Sequence, residues 1–449
     1  MSNRINTILF FVALFGVPIL YFVLPKQKIS MGEKRKLAIV PELNYESYIK
    51  GAWADSMDEY VDDHFPFRTS MIDMAVEFHS LKGIHLKEQE KIFVSQKPKI
   101  EKKNKEEDST ESSLKFLDEF DQAYSGSMLI INGSVYPMGG GSPAMSKHFS
   151  KMVSEYAEKL KGKTRVFSAV APLSSAFIPV EKYKQYNTQN KNTLKAIGAN
   201  LTNGAIFCDV FEEMNKHAGE KMYFSTDHHW KPIGAYYAYV AFCKAAGFEP
   251  VPLNKMDKKI KYNFLGSLYQ HTRDPSVKNN PDTMEYYVPK VGTTAVRYTP
   301  YGYSKTSQSK VFSHSSSGGN TYSTFISGDA PMMRINTTTK NGKKAIVVKN
   351  SYGNAFIVFL VSHYEEIWVV DFRYSKQNIM QTIRDNNIND MIFAMGMYGA
   401  MSKGTINMMR NLAIQSGNSA PPKEQNNEKK DTIIEVTPQP IVPDTLNSN

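Results

Sequence analysis

A chain of 449 residues, 41% hydrophobic and 12% aromatic, has the composition of a globular protein with room for one large domain or two ordinary ones. Its net charge of +10 does not make it a nucleic-acid binder: the lysines are scattered, and no zinc-finger spacing or RNA-binding aromatic signature is present. Two cysteines, Cys208 and Cys243, suggest neither a disulfide framework nor a cysteine metal site; they read as small buried apolar residues, and the sequence leaves open that they pair in an oxidising compartment.

Residues 8–24 are nearly all apolar, with Arg4 before them. The run is just long enough to span a bilayer as a helix, and Gly16 and Pro18 are tolerated in such helices. No small-residue cleavage pattern follows, so residues 1–29 read as an uncleaved signal anchor. Lys26, Lys28, Lys34, Arg35 and Lys36 come next. By the positive-inside bias these would hold the bulk of the chain in the cytoplasm, so charge alone leaves the orientation open.

Residues 30–94 read as a helical N-terminal region. Pro66 breaks a helix near Phe65, and a second helix is expected over 69–81, capped by Thr69 or Ser70. Asp62, Asp63 and His64 at the break read as a helix end making salt links. Residues 95–113 are charged and poor in apolar side chains, the pattern of a linker or mobile loop. Asn132-Gly133 between apolar runs marks a hairpin. Gly139, Gly140 and Gly141 lack the strand and helix of a phosphate loop and read as a turn.

The main domain is expected over 114–412. Helices predicted at 145–160, 188–199, 233–246, 355–361 and 376–384 alternate with strands at 165–172, 206–210, 344–349, 366–371 and 390–395. That alternation implies right-handed crossovers and a mainly parallel sheet covered on both faces, an α/β architecture. Residues 255–325 are rich in Tyr, Ser, Thr and Asn without a clear period, and read as an insertion. The tail, 413–449, reads as disordered.

The densest chemistry lies in Phe224-Ser225-Thr226-Asp227-His228-His229-Trp230-Lys231-Pro232. Asp227 and His229 stand two apart, and in an extended segment such side chains leave the same face, so the carboxylate can orient the imidazole. His228 then points the other way and reads as a hydrogen-bonded structural histidine. A metal site would draw on Asp227, His228, His229 and His217. Adjacent histidines in an extended strand diverge, and no second ligand pair has metal spacing, so neither metal nor cofactor is expected. Ser351 stands where the 344–349 strand turns into an apolar helix. There α/β enzymes expose a nucleophile, and helix N–H groups can stabilise an oxyanion. A plain helix cap fits that position equally well.

STDHHW, VVKNSYGNAFIVFL and EEIWVVDFRY, with EKRKLAIVPEL, YVDDHFPFR and GSMLIINGSVYPMGG nearer the N-terminus, resemble the DHHW family. That family is similar to the alginate O-acetyltransferase-like proteins of the SGNH hydrolase superfamily. The resemblance covers most of residues 30–400. It implies an SGNH-hydrolase-like three-layer α/β/α fold behind a transmembrane helix, with the domain outside the cytoplasm of a bacterium. It carries the triad acid to Asp227, the base to His229 and the nucleophile to Ser351. The implied activity is an O-acetyltransferase or acetylesterase acting on a polysaccharide or cell-envelope glycan. The implied partners are that glycan, the membrane through residues 8–24 and a membrane-bound acyl-donor protein. The Ser351 N–H, with Gly353, is the expected oxyanion donor, with Ser174 or Ser175 as a further source. Trp230, Tyr322 and Tyr352 are candidates to stack on a sugar, or to pack. Asn350 stands where relatives commonly carry Asp. That departure leaves open an inactive glycan-binding or assembly component on the same fold.

Overall fold

The computed structural model describes residues 2–27, 29–30, 35–80, 90–94, 127–299 and 302–416. The linker expected at 95–113 and the tail from 417 onward lie outside the described residues. The first helix, α1 (Ser2–Val23), contains a window, Arg4–Val23, of mean hydropathy 2.2, none of it buried against the rest of the chain. It is long and apolar enough to cross a membrane.

Helices α2 (Ala52–Asp63) and α3 (Arg68–Ser80) follow, separated at Pro66. The Asp62-Asp63-His64 end is tied by hydrogen bonds. Asp63 Oδ2 accepts from the Ala38 N–H at 2.7 Å, and His64 Nδ1 lies 2.9 Å from the Tyr60 carbonyl. The hairpin expected at Asn132-Gly133 joins Ser127–Ile131 to Ser134–Pro137. Both turn residues have positive φ, 48° and 72°, as the tight turn matched to strand twist requires.

The α/β domain starts with α4 (Pro143–Lys159), β1 (Arg165–Ala171), α5 (Lys184–Ala199), β2 (Ile206–Phe207) and α6 (Pro232–Ala246). The strand expected over 206–210 stops early because Asp209 accepts from the Glu212 N–H at 3.0 Å and caps a short helix, Val210–Asn215. The chain continues through β3 (Thr293–Thr299), β4 (Gly302–Ser309), β5 (Met332–Thr337), β6 (Lys344–Lys349) and α7 (Tyr352–Leu360). It ends with β7 (Glu366–Asp371), α8 (Ile379–Asp385), β8 (Asp390–Gly396) and α9 (Lys403–Asn411).

These strands form one sheet in the order β4-β3-β5-β7-β6-β8-β1-β2. The contacts from β7 to β2 are parallel, whereas β5 pairs antiparallel with β7, β3 with β5 and β4 with β3. The sheet is therefore mixed, which corrects the expectation of a mainly parallel one. The region read as a periodless insertion supplies β3 and β4, which lie so close in sequence that they can pair only as antiparallel neighbours.

Alternation along the central strand separates the two faces. Ala345 and Val347 join one core with Phe242 of α6 and Phe356 of α7. Ile346 and Val348 join the other with Met152 of α4, Leu194 of α5, Ile383 of α8 and Met409 of α9. The result is three layers, helix, sheet and helix. α7 is buried all round, and each of its large apolar side chains contributes about 1.5–3 kcal/mol. That burial fixes the turn before it, where Ser351 sits. Cys208 and Cys243 are both buried and free, and burial pushes the Cys243 thiol up to about 12.

Candidate active site

The 224–229 segment is a closed loop, not the extended strand expected. Tyr223 and Trp230 form an antiparallel bridge, and the Lys231 N–H donates to the Met222 carbonyl at 2.7 Å. Inside the loop, Asp227 Oδ1 accepts from the His229 backbone N–H at 3.0 Å and lies 2.6 Å from His229 Nδ1. Side-chain acceptance two residues on is the turn-forming habit of aspartate. Acid and imidazole are thus paired by a turn, not by sharing a strand face.

Ser351 follows β6 with helical dihedrals, φ −57° and ψ −24°, and its hydroxyl makes no capping bond. Its Oγ instead lies 2.7 Å from His229 Nε2. Asp227 is 1% exposed and His229 3%, while Ser351 is half-buried. In this line the imidazole can take the hydroxyl proton while the carboxylate holds the other ring nitrogen.

The remaining expected residues fall into other roles. The Gly353 N–H donates to the Asn350 carbonyl at 2.9 Å. It is committed to the turn, which removes it as an oxyanion donor. A Cβ at Gly353 would come within 2.5 Å of Lys349 Cβ, so glycine serves close helix–strand approach there. Trp230, Tyr322 and Tyr352 are 2%, 6% and 7% exposed, too enclosed to present a ring face to a sugar. Trp230 Nε1 donates to the Tyr352 carbonyl at 3.1 Å, and the Tyr352 hydroxyl donates to the His228 carbonyl at 2.5 Å. Tyr322 stacks on His229 with ring centres 3.8 Å apart and planes 7° from parallel. Ser174 is buried just beyond the carboxyl end of β1, and Ser175 Oγ donates to the Gly139 carbonyl at 2.6 Å. Neither serine enters the hydrogen bonds that join Asp227, His229 and Ser351.

His228 does not diverge from His229. The rings lie 3.7 Å apart because the segment is bent. With Asp227 they offer ligand atoms within 4.8 Å of one another. A metal held there would compete with the Asp227–His229 hydrogen bond and with the 2.7 Å contact between His228 Nδ1 and Ser267 Oγ.

Sequence reading missed what holds each half of the site. Behind the acid–base loop, the Ser267 N–H and Oγ donate to Asp227 Oδ2 at 2.9 and 3.1 Å. Asp282 accepts from the backbone N–H groups of Ser225 and Thr226 at 2.9 and 2.8 Å. Burial pushes the Asp282 carboxyl above its usual range, against those bonds and the nearby Lys231 charge. Behind Ser351, the fully buried Lys349 Nζ reaches Asp329 at 2.6 Å and Asp371 at 2.8 Å. Arg373 closes the group at 2.7 Å from Asp371 and 3.0 Å from Asp329. Asn354, in the first turn of α7, donates to Asp329 at 2.9 Å. Burial opposes ionisation of Asp329, but the Lys349 and Arg373 charges overcome it and hold that carboxyl well below its usual range. Ser267 lies 40 residues from the Asp227 carboxylate it holds, and Asp282 lies 56 residues from the Thr226 N–H it accepts from, so no local pattern marks them.

With the geometry in place, known proteins can be set beside the chain. The family described as DHHW protein matches residues 109–370. The chain belongs to the DHHW family. A DHHW family protein from Eubacterium siraeum is 32% identical, with 64% of this chain and 95% of that one covered and a TM-score of 0.58. Bacillus cereus PatB1, solved with a sulfonyl adduct, is 17% identical over 62% of this chain and 96% of its own, with a TM-score of 0.51. That level of likeness speaks to the fold alone. The O-acetyltransferase domain of Pseudomonas putida AlgJ is 12% identical over 63% of this chain and 96% of that one, with a TM-score of only 0.33. No curated protein matches the chain.

Proposed function

We propose that this DHHW chain is a membrane-anchored, extracytoplasmic SGNH-like O-acetyltransferase or acetylesterase acting on a polysaccharide or cell-envelope glycan. The observation that carries the reading is one continuous line: Ser351 Oγ to His229 Nε2 at 2.7 Å, and His229 Nδ1 to Asp227 Oδ1 at 2.6 Å. The exposed apolar helix α1 supports the anchor, and the family resemblance supplies the outward orientation and the glycan.

The chemistry follows from the geometry. Ser351 Oγ forms a bond to an acetyl carbonyl carbon while His229 Nε2 takes its proton. Asp227 holds the imidazole in one tautomer and stabilises the imidazolium. The oxyanion faces the Ser351 N–H at the start of α7. As the tetrahedral centre collapses, the donor oxygen leaves with the proton from His229, and the acetyl group stays on Ser351. A sugar hydroxyl or water then attacks the ester, His229 takes the new proton, and that proton returns to Ser351 Oγ.

Ser351→Ala tests the assignment in the anchored protein. Acetyl release from p-nitrophenyl acetate should fall by about a thousandfold or more, and unchanged release would overturn the reading. Acetyl appearing on added glycan oligosaccharide identifies a transferase, and release only as acetate identifies an esterase.

A further inference from the structure

The second histidine of the DHHW stretch has no part in the chemistry above, yet it is placed with care. His228 Nδ1 lies 2.7 Å from Ser267 Oγ, and the same Oγ lies 3.1 Å from Asp227 Oδ2. Ser267 is fully buried. It comes from a segment far along the chain and reaches the acid because Gly266 has no side chain. A Cβ at Gly266 would fall within 2.3 Å of Asp227 Cβ. The loop's backbone is fastened independently by the Tyr352 hydroxyl on the His228 carbonyl and by the Tyr269 N–H on the Thr226 carbonyl.

A serine hydroxyl carries one proton, and here two acceptors compete for it. If His228 Nδ1 is bare, the hydroxyl turns toward it and Asp227 Oδ2 keeps only the Ser267 N–H. If Nδ1 carries the proton, it donates to Ser267 Oγ, and Ser267 is then directed onto Asp227. In that arrangement the carboxylate has four donors: His229 Nδ1–H and N–H on one oxygen, Ser267 N–H and O–H on the other. A buried carboxylate so satisfied stays ionised and fixed, as His229 requires when it becomes an imidazolium.

We propose that His228 Nδ1–H, Ser267 Oγ–H and Asp227 Oδ2 form a relay that positions the acid, with His228 acting as a positioning residue through Ser267. The proposal rests on the assignment of Asp227, His229 and Ser351 above. No proton is transferred along it. Its effect is to set how many donors Asp227 has.

The test is a double-mutant cycle on p-nitrophenyl acetate turnover by the full chain. His228→Ala and Ser267→Ala should each lower kcat about tenfold with KM unchanged. The combined variant should be no slower than Ser267→Ala alone, because one path is being cut twice. His228→Asn, whose amide N–H stands near the place of Nδ1–H, should recover most of the loss. Both alanine variants should move the rising limb of the kcat/KM pH profile to higher pH, since an anion with fewer donors holds an imidazolium more tightly. Independent, multiplying losses, or failure of His228→Asn to recover activity, would overturn the relay while leaving the Ser351 assignment standing. If Ser351→Ala keeps its turnover, the underlying reading falls instead.

Discussion

Asp282 stands behind the acid–base loop, and Asp329 stands behind the turn that carries Ser351. Asp282 is buried and accepts from backbone N–H groups, whereas Asp329, with 20% of its side chain exposed, binds the side chains of Lys349, Arg373 and Asn354. Asp282 is held chiefly by hydrogen bonds from Ser225 and Thr226, with the Lys231 ammonium 3.9 Å away, and burial moves its carboxyl above the usual range. Asp329 pairs directly with Lys349 and Arg373, whose charges hold it below that range. One half of the site uses a carboxylate as an acceptor and bears the desolvation. The other half uses it as a charge inside a group of two cations and two anions. A loop bent back on itself needs several backbone N–H groups gathered at one point. A strand-to-helix turn, already fixed by the burial of β6 and α7, needs its polar end pinned at the carboxyl ends of β6 and β7.

The greatest loss is expected from Lys349→Met. It leaves Asp329 and Asp371 sharing only Arg373, an uncompensated charge with little access to water. Removing one partner of a buried ion group costs about 3–5 kcal/mol. The thermal midpoint should drop by roughly 5–8 °C for a domain of this size, and catalytic turnover should fall with the fraction folded. A midpoint within a degree or two of the parent would show that the charge group is not what fixes the nucleophile's turn.

A smaller effect separates the two carboxylates by pH. Asp329 has a folded pKa below its unfolded one, so its contribution to stability is present above the ordinary carboxylate range. It is lost as pH falls through the lowered folded value. Asp282 has the opposite sign: its contribution is present in acid and is lost as pH rises through the raised value. At neutral pH, Asp329→Asn should therefore cost about 2–4 kcal/mol and weaken the loss of stability on acidification. Asp282→Asn should cost only about 1 kcal/mol, the worth of one neutral hydrogen bond, because it also removes a buried charge. Thermal melts of both variants from neutral pH down to the carboxylate range read the difference. Equal costs at neutral pH would erase the distinction between the two halves.

The same contrast explains what could be read in the sequence. β6 and β7 occupy 344–349 and 366–371 as expected, because short, fully apolar runs bounded by polar residues leave little choice of state. Asp227 and His229 stood out as an acid two residues from an imidazole, while Ser351, locally no different from a helix cap, stood out through the family resemblance; the fold brings the three together. The partners of those residues did not stand out. Ser267, Asp282 and Asp329 act through hydrogen bonds and ion pairs to residues 20 or more positions away, and such contacts have no period. The antiparallel edge escaped for a related reason. β3 and β4 are largely polar strands at the margin of the sheet, where one face meets water and the apolar signal is thin. The bend that pairs Asp227 with His229 was hidden because an aspartate two residues before a histidine fits a strand and a turn equally well.

The smallest effect concerns Asn350. Its Oδ1 accepts from the Tyr352 and Gly396 N–H groups, each at 3.2 Å, tying the nucleophile's turn to the end of β8. A carboxylate supplies the same acceptor, so aspartate and asparagine at this position answer one need, two backbone donors converging on one oxygen. Asn350→Asp should leave p-nitrophenyl acetate turnover within about threefold of the parent. Asn350→Ala removes the acceptor and should lower turnover by about tenfold or more, since it strands two buried N–H groups beside the reacting hydroxyl. The sharpening outcome is a large loss in Asn350→Asp alone. That result would move the role of Asn350 from its oxygen to its amide N–H groups, which only asparagine can offer to a developing oxyanion. Asn350 would then belong to the catalytic apparatus and not only to the support of its turn.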